Sequence, residues 1–170
     1  MRHLSILGSA AVVAASFAAP LSAATPPSAD ANGKALLLVP LTLVKVDDLD
    51  FGAVVPSSVS GVVTINASTG ARSFAGGVTG VPSDAGNRAT FAGAETPGQQ
   101  VIVVVNPPVE LVNAANDKIP VLGLTLDGPA VRTIDSTRAF FVGVGGSVMI
   151  NADQPDGDYS ATFDVTAFYQ

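Results

Sequence analysis

The sequence lacks cysteine and tryptophan altogether, and His3 is its one histidine. Without cysteine, the chain forms no disulfide and has no thiol chemistry. Without a histidine beyond position 3, most of the chain has no Ser-His-Asp or Cys-His machinery and no histidine- or cysteine-ligated zinc. The sequence therefore predicts a non-catalytic protein with no cofactor and no metal.

Carboxylates are the catalytic groups that remain, but their positions do not favour catalysis. A glycosidase needs two carboxylates across a cleft, which Trp and Tyr usually line, and this chain has only two tyrosines. The stretch "NADQPDGDYS", residues 151–160, is rich in Asp, yet Pro155 falls where a calcium loop needs an oxygen ligand. Six of the aspartates sit in or beside turns, where they cap the backbone: Asp47, Asp48, Asp50, Asp153, Asp156 and Asp158.

Positive charge is also scarce. From Thr25 onward the chain carries seven basic and fourteen acidic side chains, and the basic ones are not clustered. Nucleic acids select proteins with clustered Lys and Arg, so a nucleic-acid partner is not expected.

The chain begins with a pattern typical of a secretory signal peptide. Basic residues at positions 2 and 3 precede the apolar stretch Leu4–Ala19, and the small residues of "PLSAA" follow it. We interpret residues 1–24 as a signal peptide rather than a retained membrane anchor, because the apolar stretch is short and rich in Ala. No later stretch is apolar enough to span a bilayer. The chain is therefore expected to be exported.

The segment after the signal peptide divides into a leader and a domain. Thr25–Lys34, "TPPSADANGK", is polar and rich in Pro, and predicts a flexible leader. Residues 35–170 form the predicted domain. Its first stretch, Ala35–Val46 or "ALLLVPLTLVKV", contains Pro40, which cannot donate to a sheet ladder and either splits this stretch or lies on an edge.

The rest of the domain alternates short β-type runs with turn clusters, and no helical periodicity lasts ten residues. This predicts an all-β, immunoglobulin-like β-sandwich, with a small antiparallel β-barrel as the alternative. "GVGG", Gly143–Gly146, is interpreted as a hairpin turn, and Gly52 and Gly157 as turn glycines with positive φ. The predicted strands are 61–66, 72–74, 90–92, 100–105, 119–127, 138–144, 147–150 and Asp158–Tyr169. The predicted core aromatics are Phe51, Phe91, Phe140, Tyr159 and Phe163.

Five segments, in this order, resemble a secreted bacterial family called domain of unknown function 4402. They are "LDFG" (49–52), "GVVTINASTGAR" (61–72), "RATFAGAETPGQQVIV" (88–103), "FFVGVGGSVMI" (140–150) and "QPDGDYSATFDVTAFYQ" (154–170). The first and last segments also resemble the spore coat protein U domain, which includes pilins of the archaic chaperone–usher class. That second resemblance implies a pilin-like sheet that lacks one strand and receives it from the N-terminal extension of the next subunit.

On that interpretation the donor strand is "ALLLV", with Leu36, Leu37, Leu38 and Val39 as its intersubunit residues and with Leu37 and Val39 facing inward. The implied partners are further copies of the chain, or other pilus subunits of a fimbrium, and a periplasmic chaperone. The resemblance also implies that the secreted chain lies in the periplasm or on the cell surface of a Gram-negative bacterium. The alternative is that Ala35–Val46 folds back as the first strand of its own sheet. The chain would then be a closed monomeric binding module for an unknown ligand.

Overall fold

Alternating apolar residues and frequent turn residues divide the domain into strands of three to twelve residues. The computed structural model describes residues 29–170, so the predicted signal peptide lies outside the described residues. Residues 36–170 form one structural unit. Within residues 29–170 the secondary structure is ten strands and no helix: β1 (Thr42–Asp47), β2 (Val54–Ile65), β3 (Arg72–Gly80), β4 (Ala89–Ala94), β5 (Gln100–Asn106), β6 (Glu110–Val112), β7 (Lys118–Leu126), β8 (Val131–Thr133), β9 (Ala139–Ile150) and β10 (Asp164–Tyr169).

The strands form two antiparallel sheets. The larger has seven strands, with β1-β4-β9-β2-β3 as its main path and with β7 joined to both β9 and β6. The smaller has the order β10-β5-β8. The sheets do not close into a barrel, so the β-sandwich prediction is confirmed and the barrel alternative is wrong. In the part of the chain that the structure describes, no helix is long and apolar enough to cross a membrane.

Strand β9 organises the larger sheet because three strands pair with it. Residues 139–144 pair with β4, residues 146–150 pair with β2, and β7 pairs along residues 144–148. Val144 has a partner on each side, Ala89 of β4 and Leu126 of β7. The strand is buried almost continuously from Val142 to Gly146, as expected of a strand in the middle of a sheet.

The hairpin turn predicted at Gly143–Gly146 is wrong, because β9 runs through these residues without interruption. The glycines serve close packing instead. A Cβ on Gly145 would collide with the carbonyl oxygen of Ile65 and the backbone nitrogen of Ala67, and one on Gly143 would collide with the carbonyl oxygen of Ala67. The turn after β2 therefore lies directly against β9, which only glycine permits.

Two clusters of buried side chains fill the interior. The first lies between the sheets at β4, β5 and β9 and includes Phe91 and Phe140, with Phe163 partly buried against it. The second lies around β2, β7 and the end of β9, with Phe51 and Tyr159 partly buried against it. Phe91 and Phe140 are thus confirmed as core residues, whereas Phe51, Tyr159 and Phe163 lie at the margin of the core.

The last strand is shorter than the sequence predicts. Tyr159–Phe163 precede β10, and Ser160 instead exchanges backbone hydrogen bonds with Val112, at 3.0 and 3.1 Å. From Phe163 onward the side chains alternate as in a half-buried strand, and every second one is turned toward the core. Before it, the chain bends across β6 and leaves the β5 ladder.

Both predicted turn glycines have positive φ, 67° at Gly52 and 144° at Gly157. The Asp50 carboxylate accepts a hydrogen bond from the Gly52 nitrogen at 2.7 Å. The Arg72 guanidinium donates to the carbonyl oxygens of Phe51 (3.0 Å), Ala53 (3.1 Å) and Val81 (2.9 Å). The "LDFG" segment is therefore a turn held in place by an arginine of β3.

We expect Gly145→Ala to lower the free energy of unfolding by about 1–3 kcal/mol or more, because the added methyl group has no space against the turn after β2. Urea denaturation of the purified variant measures this change. Gly128→Ala is the control for general loss of glycine: its φ is not in the left-handed region, and the nearest atom to its Cβ position is the end of the flexible Arg132 side chain, at 3.9 Å. A variant at position 145 as stable as wild type would contradict the packing role.

Phe163 lies edge-on to Phe91, with ring centroids 6.4 Å apart and planes at 76°. We expect Phe163→Ala to lower the free energy of unfolding by roughly 3 kcal/mol, since it removes a partly buried ring and this contact. Phe168→Ala is the matched control: it lies in β10, five residues later, faces outward and is 46% exposed, so a change below about 1 kcal/mol is expected. Equal losses in both variants would show that the inward-facing residues of this segment are assigned wrongly.

Candidate functional site

Strand β10 has one paired edge and one unpaired edge within residues 29–170. It pairs only with β5, from Asp164↔Asn106 to Tyr169↔Val101. Beyond the last pair, the Gln170 nitrogen donates to the Gln100 carbonyl at 3.0 Å. Because antiparallel pairs alternate, the backbone groups of Val165, Ala167 and Tyr169 point away from β5, toward the unpaired edge.

β1, β3 and β8 also lie at sheet edges, and each carries features that discourage pairing with a further strand. β8 has three residues, and β3 contains the glycines of "AGGVTG" and a register shift opposite it in β2. β1 has a bulge between Lys45 and Asp47, and its Lys45, opposite Phe91 in the ladder, is exposed and paired with Asp48 at 2.6 Å. β10 has six residues in continuous register, with no proline, glycine or basic residue.

Strands β1 and β10 each have an unpaired edge, and both border the first core cluster. Leu41, Leu43, Val165 and Ala167 all pack against that cluster. No backbone hydrogen bond and no strand pairing joins β1 to β10 among the described residues. We call this gap between the two strands the β1–β10 groove.

The groove is closed at one end and leads into a cavity at the other. At the closed end the Tyr169 hydroxyl donates to the Val39 carbonyl oxygen, and the Val39 nitrogen donates to Thr96 Oγ1 at 3.0 Å. At the other end, Leu49 and Phe163 line a cavity of about 530 Å³. Since the start of β1 lies beside the end of β10, the two strands run in opposite directions.

The cavity has an apolar interior and an acidic rim. Its walls include Val63, Leu124, Val148 and Ile150, and its lining has no basic residue. Asp50, Asp84, Asp156 and Asp158, all exposed, form the rim. The described residues contain no group of three or more acidic or metal-ligating side chains placed to hold a metal ion.

The predicted donor residues lie directly ahead of β1 and outside any strand. Leu36 is 71% exposed, Leu37 88% and Val39 49%, while Leu38 is partly buried. The domain's first strand begins after Pro40, at Thr42. Pro40 therefore separates an exposed apolar segment from a strand that pairs within its own sheet, as the donor interpretation expects.

Glu95 is a buried carboxyl at the closed end of the groove. It is 2% exposed, and neither carboxyl oxygen has a hydrogen-bond partner among the described residues. It follows β4 in the alternation that turns Ala89 and Phe91 inward, and its nitrogen donates to the Arg138 carbonyl at 3.0 Å. Burial raises the pKa of the Glu95 carboxyl.

Sequence reasoning missed Glu95, whereas the pilin resemblance already implied that the last strand forms one wall of a groove, with its edge satisfied by the next subunit. Glu95 does stand out in the pattern "ATFAGAE", where odd-numbered positions are buried and the last of them is charged.

Comparison with protein-family models matches residues 41–169 to "Domain of unknown function (DUF4402)". The chain belongs to this family. Neither the curated proteins nor the solved structures include a match to this DUF4402 chain. The family match covers β1 to β10 and begins after Leu36–Val39, so the exposed apolar segment of the DUF4402 chain lies outside it.

The buried Glu95 makes the free energy of unfolding depend on pH, and the direction of this dependence can be worked out. Its folded-state pKa is raised above the unfolded-state value, so the free energy of unfolding falls as the pH rises through the interval between the two. Glu95→Gln cannot ionise. We expect this variant to be more stable than wild type at pH 7 and not more stable below about pH 4, by urea denaturation at both pH values.

Glu110→Gln is the matched control, since the Glu110 carboxylate is paired with Lys118 at 2.5 Å on the surface. The free energy of unfolding of Glu110→Gln should be up to about 1 kcal/mol lower than that of wild type at pH 7. A Glu95→Gln variant less stable than wild type at pH 7 would mean that the carboxylate has a favourable partner in solution.

Proposed function

We propose that this DUF4402 chain is an exported, non-catalytic structural or surface protein whose copies assemble by donor-strand exchange. The observation that carries the proposal is the unprotected edge of β10, which borders a groove over the core. The exposed segment Leu36–Val39, directly ahead of β1, is the strand that we assign to the groove of the next copy.

Both the unpaired edge of β10 and the exposed segment Leu36–Val39 are suited to strand addition. The unpaired edge offers the N–H and C=O groups of three residues, Val165, Ala167 and Tyr169, as a pairing template. Leu37 and Val39 alternate as an inward-facing pair when Leu36–Val39 is extended. Burying two such side chains contributes about 1.5–3 kcal/mol each, in addition to the backbone hydrogen bonds.

The segment is poorly placed to fill the groove of its own chain. Only Pro40 and Leu41 separate Val39 from β1. To enter the groove beside β1, the chain would have to reverse direction within these two residues, and the ring of Pro40 fixes one of the dihedral angles. Val39 is also held at the groove end by Thr96 and Tyr169. A second copy is therefore the more favourable source of the strand.

A closed binding module is the second candidate, and two observations favour it. The contact of Tyr169 with Val39 bridges the groove within one chain. The cavity of about 530 Å³ lies within the size range of small-molecule sites, about 300–1,000 Å³. The experiments below distinguish the two candidates, because the closed module remains a monomer at all concentrations.

We expect Leu37→Asp to abolish assembly without affecting folding, because Leu37 is exposed in the single chain and buried only in the groove of another copy. Size-exclusion chromatography with light scattering on the chain from Thr25, followed by electron microscopy, measures assembly. Val109→Asp is the matched control, since Val109 is 83% exposed and Leu37 88%. A wild-type chain that is monomeric throughout the concentration series would reject the proposal.

We expect Ala167→Pro to block assembly while the domain still folds, because the lost N–H faces the unpaired edge rather than β5. Thr166→Pro is the contrasting variant: it removes a hydrogen bond to β5 and should destabilise the domain. Thermal unfolding by circular dichroism tests folding, and light scattering tests assembly. Undiminished oligomers of Ala167→Pro would show that β10 is not the acceptor edge.

A further inference from the structure

We propose that the cavity beside Phe163 binds an amphiphilic cation, whose apolar chain enters the cavity and whose ammonium group stays at the acidic rim. This inference goes beyond strand exchange and does not depend on it. The groove residues Leu41, Leu43, Val165 and Ala167 do not line the cavity, so a strand in the groove and a ligand in the cavity would contact different side chains.

The cavity explains why three of the predicted core aromatics lie at the margin of the core. Phe51, Tyr159 and Phe163 all line it. The two aromatics that are buried, Phe91 and Phe140, do not. Apolar and aromatic walls of this kind enclose the apolar part of a small ligand, and the face of an aromatic ring also attracts an ammonium group.

The polar side chains in the cavity wall already have partners. The buried Gln154 donates from Nε2 to the Tyr159 hydroxyl at 2.9 Å, and that hydroxyl donates to the Pro155 carbonyl oxygen at 2.8 Å. The buried side-chain atoms without a partner in residues 29–170 belong to Glu95 and Arg132, and neither residue lines the cavity. Among the described residues, the cavity thus has no unpaired buried side-chain group, which favours a ligand with an apolar body.

The rim determines which charge the other end of the ligand carries. Its four carboxylates take part in none of the ion pairs that form within residues 29–170. The Arg72 guanidinium is bonded to backbone carbonyl oxygens and does not line the cavity. Uncompensated charges of one sign around an opening raise the local concentration of the opposite charge, so the rim favours a cation and disfavours an anion.

A bare metal ion is the less suitable occupant. No three acidic or metal-ligating side chains in the described part of the chain are placed to hold one. A metal ion would also leave the apolar interior without a partner. A ligand that joins a cationic end to an apolar chain matches both the rim and the interior.

The test uses n-octylammonium as the probe, in methyl-group NMR titrations of the Leu37→Asp chain, which strand exchange predicts to be monomeric. We expect saturable shifts at the methyl groups of Leu124, Val148 and Ile150, which line the cavity. Val101 lies in the first core cluster and not in the lining, so its methyl groups should not shift. Absence of saturable shifts at the lining residues would overturn the proposal.

Two control ligands separate the contributions of the chain and the charge. Each buried CH₂ group strengthens binding about fourfold, the equivalent of about 0.8 kcal/mol, so n-butylammonium should bind more than about a hundredfold more weakly. Octanoate should bind at least about fivefold more weakly than n-octylammonium, and added salt should narrow this difference. Equally tight binding of n-butylammonium would overturn the apolar part of the assignment, and equally tight binding of octanoate the cationic part.

Variants at the rim test the position of the ammonium group. The double variant Asp156→Asn/Asp158→Asn should weaken n-octylammonium binding about fivefold and leave the domain folded, because both side chains are exposed. Asp135→Asn is the matched control, since it removes an exposed carboxylate that does not line the cavity, and should change binding less than twofold. Equal effects of the rim and control variants would overturn the placement of the ammonium group at the rim.

Failure of the cavity site and failure of strand exchange give different results. If n-octylammonium does not bind the Leu37→Asp chain, the cavity site is wrong, and light scattering on the wild-type chain still decides strand exchange. If n-octylammonium binds as expected and the wild-type chain never assembles, the cavity site stands and strand exchange is rejected.

Discussion

The close approach of the turn after β2 to strand β9 is the constraint on which the larger sheet depends. Gly143 and Gly145 leave room for Ile65 and Ala67 to touch the strand, so β9 continues straight where side chains would force it away. That continuity lets a single strand pair with β4, β2 and β7. Because β9 pairs with β4 and β4 pairs with β1, the path of β9 also determines the position of β1. The position of the groove therefore depends on Gly143 and Gly145, although neither glycine lies in it.

The edges of the two sheets differ in how well they are protected against pairing with a further strand, and β10 is the least protected of those compared. An exposed strand edge tends to pair with any extended chain, so edges usually carry bulges, charges or breaks. β1 has a bulge and a lysine, β3 has glycines, and β8 is short. β10 has a regular six-residue register without bulge, glycine or lysine, and its one charged residue is Asp164, at its beginning. An edge that lacks protection where its neighbours have it suggests selection for a partner, which is why the proposed function centres on β10.

Much of the architecture could be predicted from the sequence, because alternating Val, Ile and Phe between turn residues mark strands such as β5 and β7. The errors have specific causes. Glycine suits both tight turns and close packing, so "GVGG" was indistinguishable from a turn. Strands β6 and β8 have three residues each and show no periodicity. The start of β10 depends on the pairing of Ser160 with Val112, a contact distant in sequence. The apolar segment before Pro40 could be recognised in the sequence, and the pilin resemblance implied a groove, but the burial of Glu95 depends on how the sheets pack.

The bridge between Tyr169 and Val39 is compatible with both assembly and a stable single chain. One hydrogen bond of this kind contributes about 0.5–1.5 kcal/mol. Two apolar side chains entering the groove contribute more than that, and the three backbone positions on the β10 edge add to it. Association must also offset the lost freedom of the joining copies, which is at least about 4 kcal/mol. In the proposed assembly, the bridge is therefore the weaker of the two contacts. The proposal thus expects protein concentration to determine whether the groove holds Tyr169 alone or a strand from another copy.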